Sequence, residues 1–159
     1  MPIQHWEVKK FQELTGDQLF ELLQLRVEVF VVEQHCAYSE LDVFDPHAGT
    51  RHLSGRDERG QLIAYARIFP PGLKYAEASL GRFVVKRDAR GKGVGHELLS
   101  TALDVMEKEW PRNAVRIHAQ EYLQQFYARY GFTRISDVYL EDGIPHVEMR
   151  REAWDISGR

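Results

Sequence analysis

Phe83-Val84-Val85-Lys86-Arg87-Asp88-Ala89-Arg90-Gly91-Lys92-Gly93-Val94-Gly95-His96 is the segment from which the rest of the chain can be read. An apolar run, Leu80–Val85, enters a charged loop whose glycines alternate with other residues, and a helical pattern begins at once. Glycines let the backbone approach a ligand closely and let successive N–H groups converge on one point. The start of a helix adds unpaired donors and the positive end of its dipole, so the segment suits a pyrophosphate. Two familiar phosphate patterns fail. GxxxxGK[ST] fails because Gly93 follows Lys92, and GxGxxG fails because Gly91, Gly93 and Gly95 run at spacing two.

Outward from that loop, the next helix carries Leu98, Leu99, Ala102, Leu103 and Met106 on one stripe and stops at Trp110-Pro111. Val115–Ala119 reads as a short strand. Glu121–Tyr130 reads as a second helix, closed by Gly131 where a left-handed residue is expected. Phe132–Leu140 and Pro145–Arg150 should form a closing hairpin across Asp142-Gly143. Toward the N-terminus, Ile3–Lys9 is a strand candidate. Thr15 and Gln18 form a capping box ahead of a helix bearing Leu19, Leu22, Leu23, Arg26, Val27 and Phe30. Residues 34–50 read as a long loop, and His52–Gly55 with Leu62–Phe69 as a hairpin around Asp57–Gly60. The order predicts a mixed α/β sheet with helices on both faces.

Bulk properties narrow the possibilities. The 159 residues fit one domain, 1–159, and 43% hydrophobic content is enough to fill a core. With 21 Lys and Arg against 24 Asp and Glu, there is no charge surplus for a nucleic-acid partner. No apolar run approaches the roughly 20 residues needed to span a bilayer, and residues 1–7 do not read as a signal peptide. One cysteine, Cys36, fits a reducing, cytoplasmic setting. His96-Glu97 lacks the second histidine of HExxH and His35-Cys36 has no matching pair, so no metal site is expected.

Arg90, Gly93 and Gly95 spell Arg-x-x-Gly-x-Gly, and here the sequence resembles the GNAT superfamily of acyl-CoA-dependent N-acyltransferases. The run Ala119–Phe132, with Phe126-Tyr127 on its helix and Gly131-Phe132 closing it, is similar to a later motif of that family. Gln120 stands where many members carry Asn. Leu22–Gln34, with Arg26, Val29-Phe30-Val31 and Glu33-Gln34, resembles the ElaA-like branch, as does Tyr139–Met149.

The resemblance implies a GNAT fold: a mostly antiparallel sheet whose two central parallel strands, 80–85 and 115–119, splay to admit acetyl-CoA as co-substrate. It implies that Phe83, Val84 and Val85 meet the pantetheine arm through backbone amides, with Gln120 and Phe126 nearby. Arg90, Gly91, Lys92, Gly93, Val94, Gly95 and His96 would cradle the pyrophosphate, and Tyr127 would be general acid. The implied activity is transfer of an acetyl group to a primary amine by direct attack in a ternary complex, by a monomer or homodimer. The alternatives are a non-catalytic acyl-CoA sensor and an acyl-homoserine-lactone-type synthase of the same fold.

A general base is harder to read. Glu33 is the first candidate, with His118 and His146 behind it. Arg26 is expected to pair with a loop acid such as Asp42. Glu28, Glu33, Glu40, Asp42 and Asp45 cluster around the first helix and its following loop, a pattern that would suit a cationic acceptor but is expected to form a solvated acidic face.

Overall fold

The structure, a computed structural model, describes residues 2–157. Its first sheet is a meander of β1 (His5–Lys9), β2 (Arg51–Arg56), β3 (Leu62–Phe69) and β4 (Ser79–Val85), all antiparallel. A second antiparallel sheet holds β5 (Val115–Gln120), β8 (Ile144–Arg151) and β6 (Thr133–Arg134), with β7 (Tyr139–Glu141) also on β8. The two sheets meet through a single parallel bridge, Ala78 with Val115.

Helix α1 (Gly16–Arg26) begins at the predicted capping box, in which Thr15 Oγ1 accepts from Gln18 N and the Gln18 side chain from Thr15 N. Helix α2 (Val94–Glu109) buries Leu98, Leu99, Ala102, Leu103 and Met106, the stripe read from the sequence. The two helices cover opposite faces of β3. Ala64, Ala66 and Ile68 share a cluster with α2, whereas Tyr65 packs with Leu22 and Leu25 of α1. All eight residues of β3 are therefore buried, as expected of a strand covered on both sides.

Three local expectations change. Helix α1 does not continue as an α-helix past Arg26: Val27–Glu33 form a wider π turn, sealed by bonds from Gln34 N to Val29 O and from Cys36 N to Val31 O. The helix predicted over Glu121–Tyr130 is a 3-10 turn, Glu121–Leu123, followed by a short α3 (Gln124–Ala128). It ends early because Tyr130 N and Phe132 N both bond Tyr127 O around Gly131, whose φ is +89°. The strand predicted over Phe132–Leu140 splits into β6 and β7. Between them the Ser136 hydroxyl accepts from Glu148 N, a bond that would otherwise belong to the ladder.

Candidate active site

The single bridge between the sheets decides where a ligand can enter. Beyond Ala78 and Val115 the strands β4 and β5 part, and a cavity of about 310 Å³ opens between them. Gly81, Arg82 and Phe83 line one side, and Ile117 to Gln120 the other. Strand β4 is bulged here: Arg82 and Phe83 lie opposite Ala66 alone, and Arg82 takes φ +47°. A bulge leaves its extra residue outside the ladder and re-aims the neighbouring groups.

Tyr127 of α3 lines the cavity from below, its ring 5.8 Å from Phe132 and 6.1 Å from Phe83. Burial raises its phenol well above the usual tyrosine value, so it is a proton donor at neutral pH. Phe126 bridges the cavity wall and the glycine loop, at 5.8 Å from Phe83 and 4.9 Å from His96.

The glycine loop follows β4 directly. Gly91 and Gly93 have φ of +80° and +79°, and Gly93 is the N-cap of α2. A Cβ on either would meet open space, so the loop presents bare backbone outward. Gly95 lies against Phe126, Lys92 is exposed, and Val94 is buried in the core. Val84 likewise points into the core beside α1, and Val85 pairs with Ala64 while its carbonyl accepts from Arg90 Nε. The His96 ring is engaged with the Tyr130 hydroxyl at 2.8 Å. Gln120 lines the cavity at the end of β5.

Glu33 is placed elsewhere. It does not line the cavity; its carboxylate takes both guanidinium nitrogens of Arg90, at 2.6 and 3.1 Å. Those bonds hold Glu33 below the usual carboxylate range, which makes it a poor base. The pair instead ties the π turn to the loop ahead of α2.

The acidic segment after α1 is not a solvated face either. Arg26, with no exposed surface, bonds Glu40 at 2.7 Å and Asp45 at 2.7 Å. Arg67, 2% exposed, bonds Asp42 at 2.7 Å and Asp45 at 2.8 Å, and Arg82 reaches Glu40 at 2.9 Å. Burial alone would raise Asp45, but the Arg26 hydrogen bond and charge outweigh it and hold the carboxyl at about 2. Arg26 thus pairs with loop acids as expected, though with Glu40 and Asp45 rather than Asp42. The network turns residues 38–45 into a wall of the cavity, through Tyr38, Asp42 and Phe44.

Titratable groups gather on the opposite wall. Glu141 lies 3.8 Å from His118 Nδ1 and 3.5 Å from His146 Nε2, and Lys74 Nζ lies 3.4 Å from His118 Nε2. Among the described residues no three His, Cys, Asp or Glu side chains converge as a metal-binding group. Lys74 and Glu141 were not singled out from sequence. Nothing local marks Lys74, which follows the Pro70-Pro71-Gly72 break and meets His118 only through the fold.

Burial, with Lys74 and His146 next, pushes His118 down to about 3 from its ordinary 6.5. The unfolded chain therefore takes up a proton as pH falls through 6.5 that the folded chain refuses until about pH 3, so stability falls across that window. By about pH 5 this site should cost up to roughly 2 kcal/mol. Urea unfolding at neutral pH and at about pH 5 should show the loss, and His118→Asn should reduce it. An unchanged slope in the variant would contradict the assignment.

The profile of an acetyltransferase (GNAT) domain matches residues 13–153. This chain belongs to the GNAT acetyltransferase family. Within it, the chain is 42% identical over 147 residues to the protein ElaA of Escherichia coli, covering 92% of this chain and 95% of ElaA. The crystal structure of that ElaA superimposes with a TM-score of 0.87, covering 93% of this chain and 99% of that one. An acyl-CoA N-acyltransferase from Pseudomonas aeruginosa is 46% identical and superimposes with a TM-score of 0.88, covering 92% and 98%. A UPF0039 protein of Schizosaccharomyces pombe is 43% identical over 145 residues, covering 91% and 94%. The split between β4 and β5 is thus set in a GNAT fold.

Proposed function

We propose that this chain is an N-acetyltransferase that uses acetyl-CoA and passes the acetyl group to a primary amine by direct attack in a ternary complex. The observation that carries it is the parting of β4 from β5 beyond one bridge, with Tyr127 below the opening and the bare glycine loop at the end of β4. The glycine loop and the start of α2 would hold the pyrophosphate through backbone N–H groups and the helix dipole. Arg90, already engaged by Glu33, supports the loop.

Acetyl-CoA supplies an activated acyl thioester. An amide freed by the bulge at Arg82 and Phe83 stabilises the charge that develops on the carbonyl oxygen. Tyr127 gives a proton to the departing thiolate. A free alkyl amine, with a pKa near ~10.4, is neutral in only about one molecule in 2,500 at pH 7, so its proton must be removed. Glu141 and His146, together on one wall, are the groups placed to receive it.

Calorimetric titration with acetyl-CoA tests the reading. The intact protein should bind saturably, and Gly93→Tyr should bind at least about 10-fold more weakly. A side chain there projects into the open space of the loop and takes a left-handed φ that costs roughly 1–2 kcal/mol. Absence of binding by the folded parent protein would overturn the proposal.

A further inference from the structure

One cation at the cavity has no carboxylate in contact with it. Arg26, Arg67 and Arg82 are matched by Glu40, Asp42 and Asp45 through the bonds already described. Glu141 sits between His118 and His146. Lys74 is left over. Its ammonium lines the cavity, donates to His118 Nε2 at 3.4 Å and lies 5.7 Å from the centre of the Tyr75 ring. Among the described residues, no carboxylate forms an ion pair with it. The partners of His118 fix its tautomer: Nε2 accepts from Lys74, so the proton sits on Nδ1, toward Glu141.

Arg67, which also lines the cavity, has an unmet donor of its own. Arg67 spends both terminal nitrogens on Asp42 and Asp45, but its buried Nε–H has no acceptor. Both groups that titrate here are held toward their neutral forms, first by burial. Lys74 is lowered by burial and then by Arg67, and His118 by burial and then by Lys74. A cation partly withdrawn from water with no carboxylate in contact is costly, and an anion arriving against it offsets that cost. The glycine loop lies outside the cavity lining, so phosphates held there would leave this cation free.

We infer that Lys74 receives a carboxylate of the acceptor, so that the amine acetylated here belongs to a small molecule of the amino-acid class. This rests on the acetyltransferase reading and narrows its substrate. The carboxylate would sit against Lys74. The amine would then lie toward Tyr127 and the bulge of β4. A carboxamide in the same place offers neither the charge nor the second acceptor oxygen.

The test measures CoA release with alanine, glutamate, methionine and phenylalanine, each beside its α-carboxamide, while calorimetry follows acetyl-CoA binding. An α-carboxamide leaves a larger share of its amine neutral, so a preference for the acid runs against intrinsic reactivity. For at least one pair, kcat/KM should favour the acid by about 10-fold or more. Lys74→Met should bring that ratio to about 1, and Lys74→Arg should keep part of it. A wild-type ratio near 1, or a ratio untouched by Lys74→Met, would overturn the inference. So would acetyl-CoA binding with no transfer to any acid, or acetylation of Lys74 itself on incubation with acetyl-CoA alone, read by intact mass. Loss of acetyl-CoA binding altogether would sink the acetyltransferase reading along with it.

Discussion

Arg26→Met should lower the unfolding free energy by about 3–5 kcal/mol, the range expected when one partner of a buried ionic network is removed. Methionine fills much of the same volume, so the loss is electrostatic rather than a cavity. Arg26 has no exposed surface and directs Nε to Glu40, Nη1 to Asp45, and Nη2 to both Asp45 and the Glu40 carbonyl. Without it, Glu40 and Asp45, themselves 4% and 5% exposed, keep Arg82 and Arg67 as charged partners, with the Tyr38 hydroxyl on Glu40 and Asp42 N on Asp45. Arg26→Lys should recover little, because one ammonium cannot span both carboxylates as the guanidinium fork does. Urea denaturation reads the effect. A cost below about 1 kcal/mol would show that Arg67 and Arg82 suffice for the loop acids.

Tyr127→Phe should slow acetyl transfer by about 100-fold or more, the scale of a lost general acid. The acetyl-CoA Kd should change little, because the ring contacts to Phe83, Phe126 and Phe132 survive. Burial holds the phenol above its ordinary value, and the same burial raises the basicity of a thiolate released beside it, so the transfer stays matched in a dry cavity. Steady-state kinetics beside calorimetry separates the two quantities. A non-catalytic acyl-CoA sensor would bind equally well with either residue and lose nothing in the variant. Unchanged turnover would remove Tyr127 from the chemistry.

What could be read in the chain before folding is what residue type decides locally. Gly91, Gly93 and Gly131 adopt positive φ because a residue without Cβ does so at little cost. Thr15 and Gln18 close the capping box within four residues, and the stripe on α2 follows from helical period alone. Arg90, Gly93, Gly95 and Tyr127 were legible for the same reason, since their motifs lie within a strand, a turn and a helix. The α1 π turn and the break between β6 and β7 were not legible. Each depends on a hydrogen bond whose alternative is equally allowed by the local sequence.

The wall of the site belongs wholly to tertiary structure. Arg26 meets Asp45 19 residues away, Glu33 meets Arg90 across 57, and Lys74 meets His118 across 44. An acidic loop and a solvated acidic face have the same composition, and only packing against three arginines buries one of them. The resemblance puts Glu33 first as a base because the region after the first helix forms the acceptor wall in that fold, but a guanidinium that sequence could not place beside it keeps it ionised and outside the cavity. Sequence determined the loop and the tyrosine, through backbone conformations that residues carry with them. Tertiary structure decided the opening and the charges that face it, because burial and ion pairing exist only once distant segments meet.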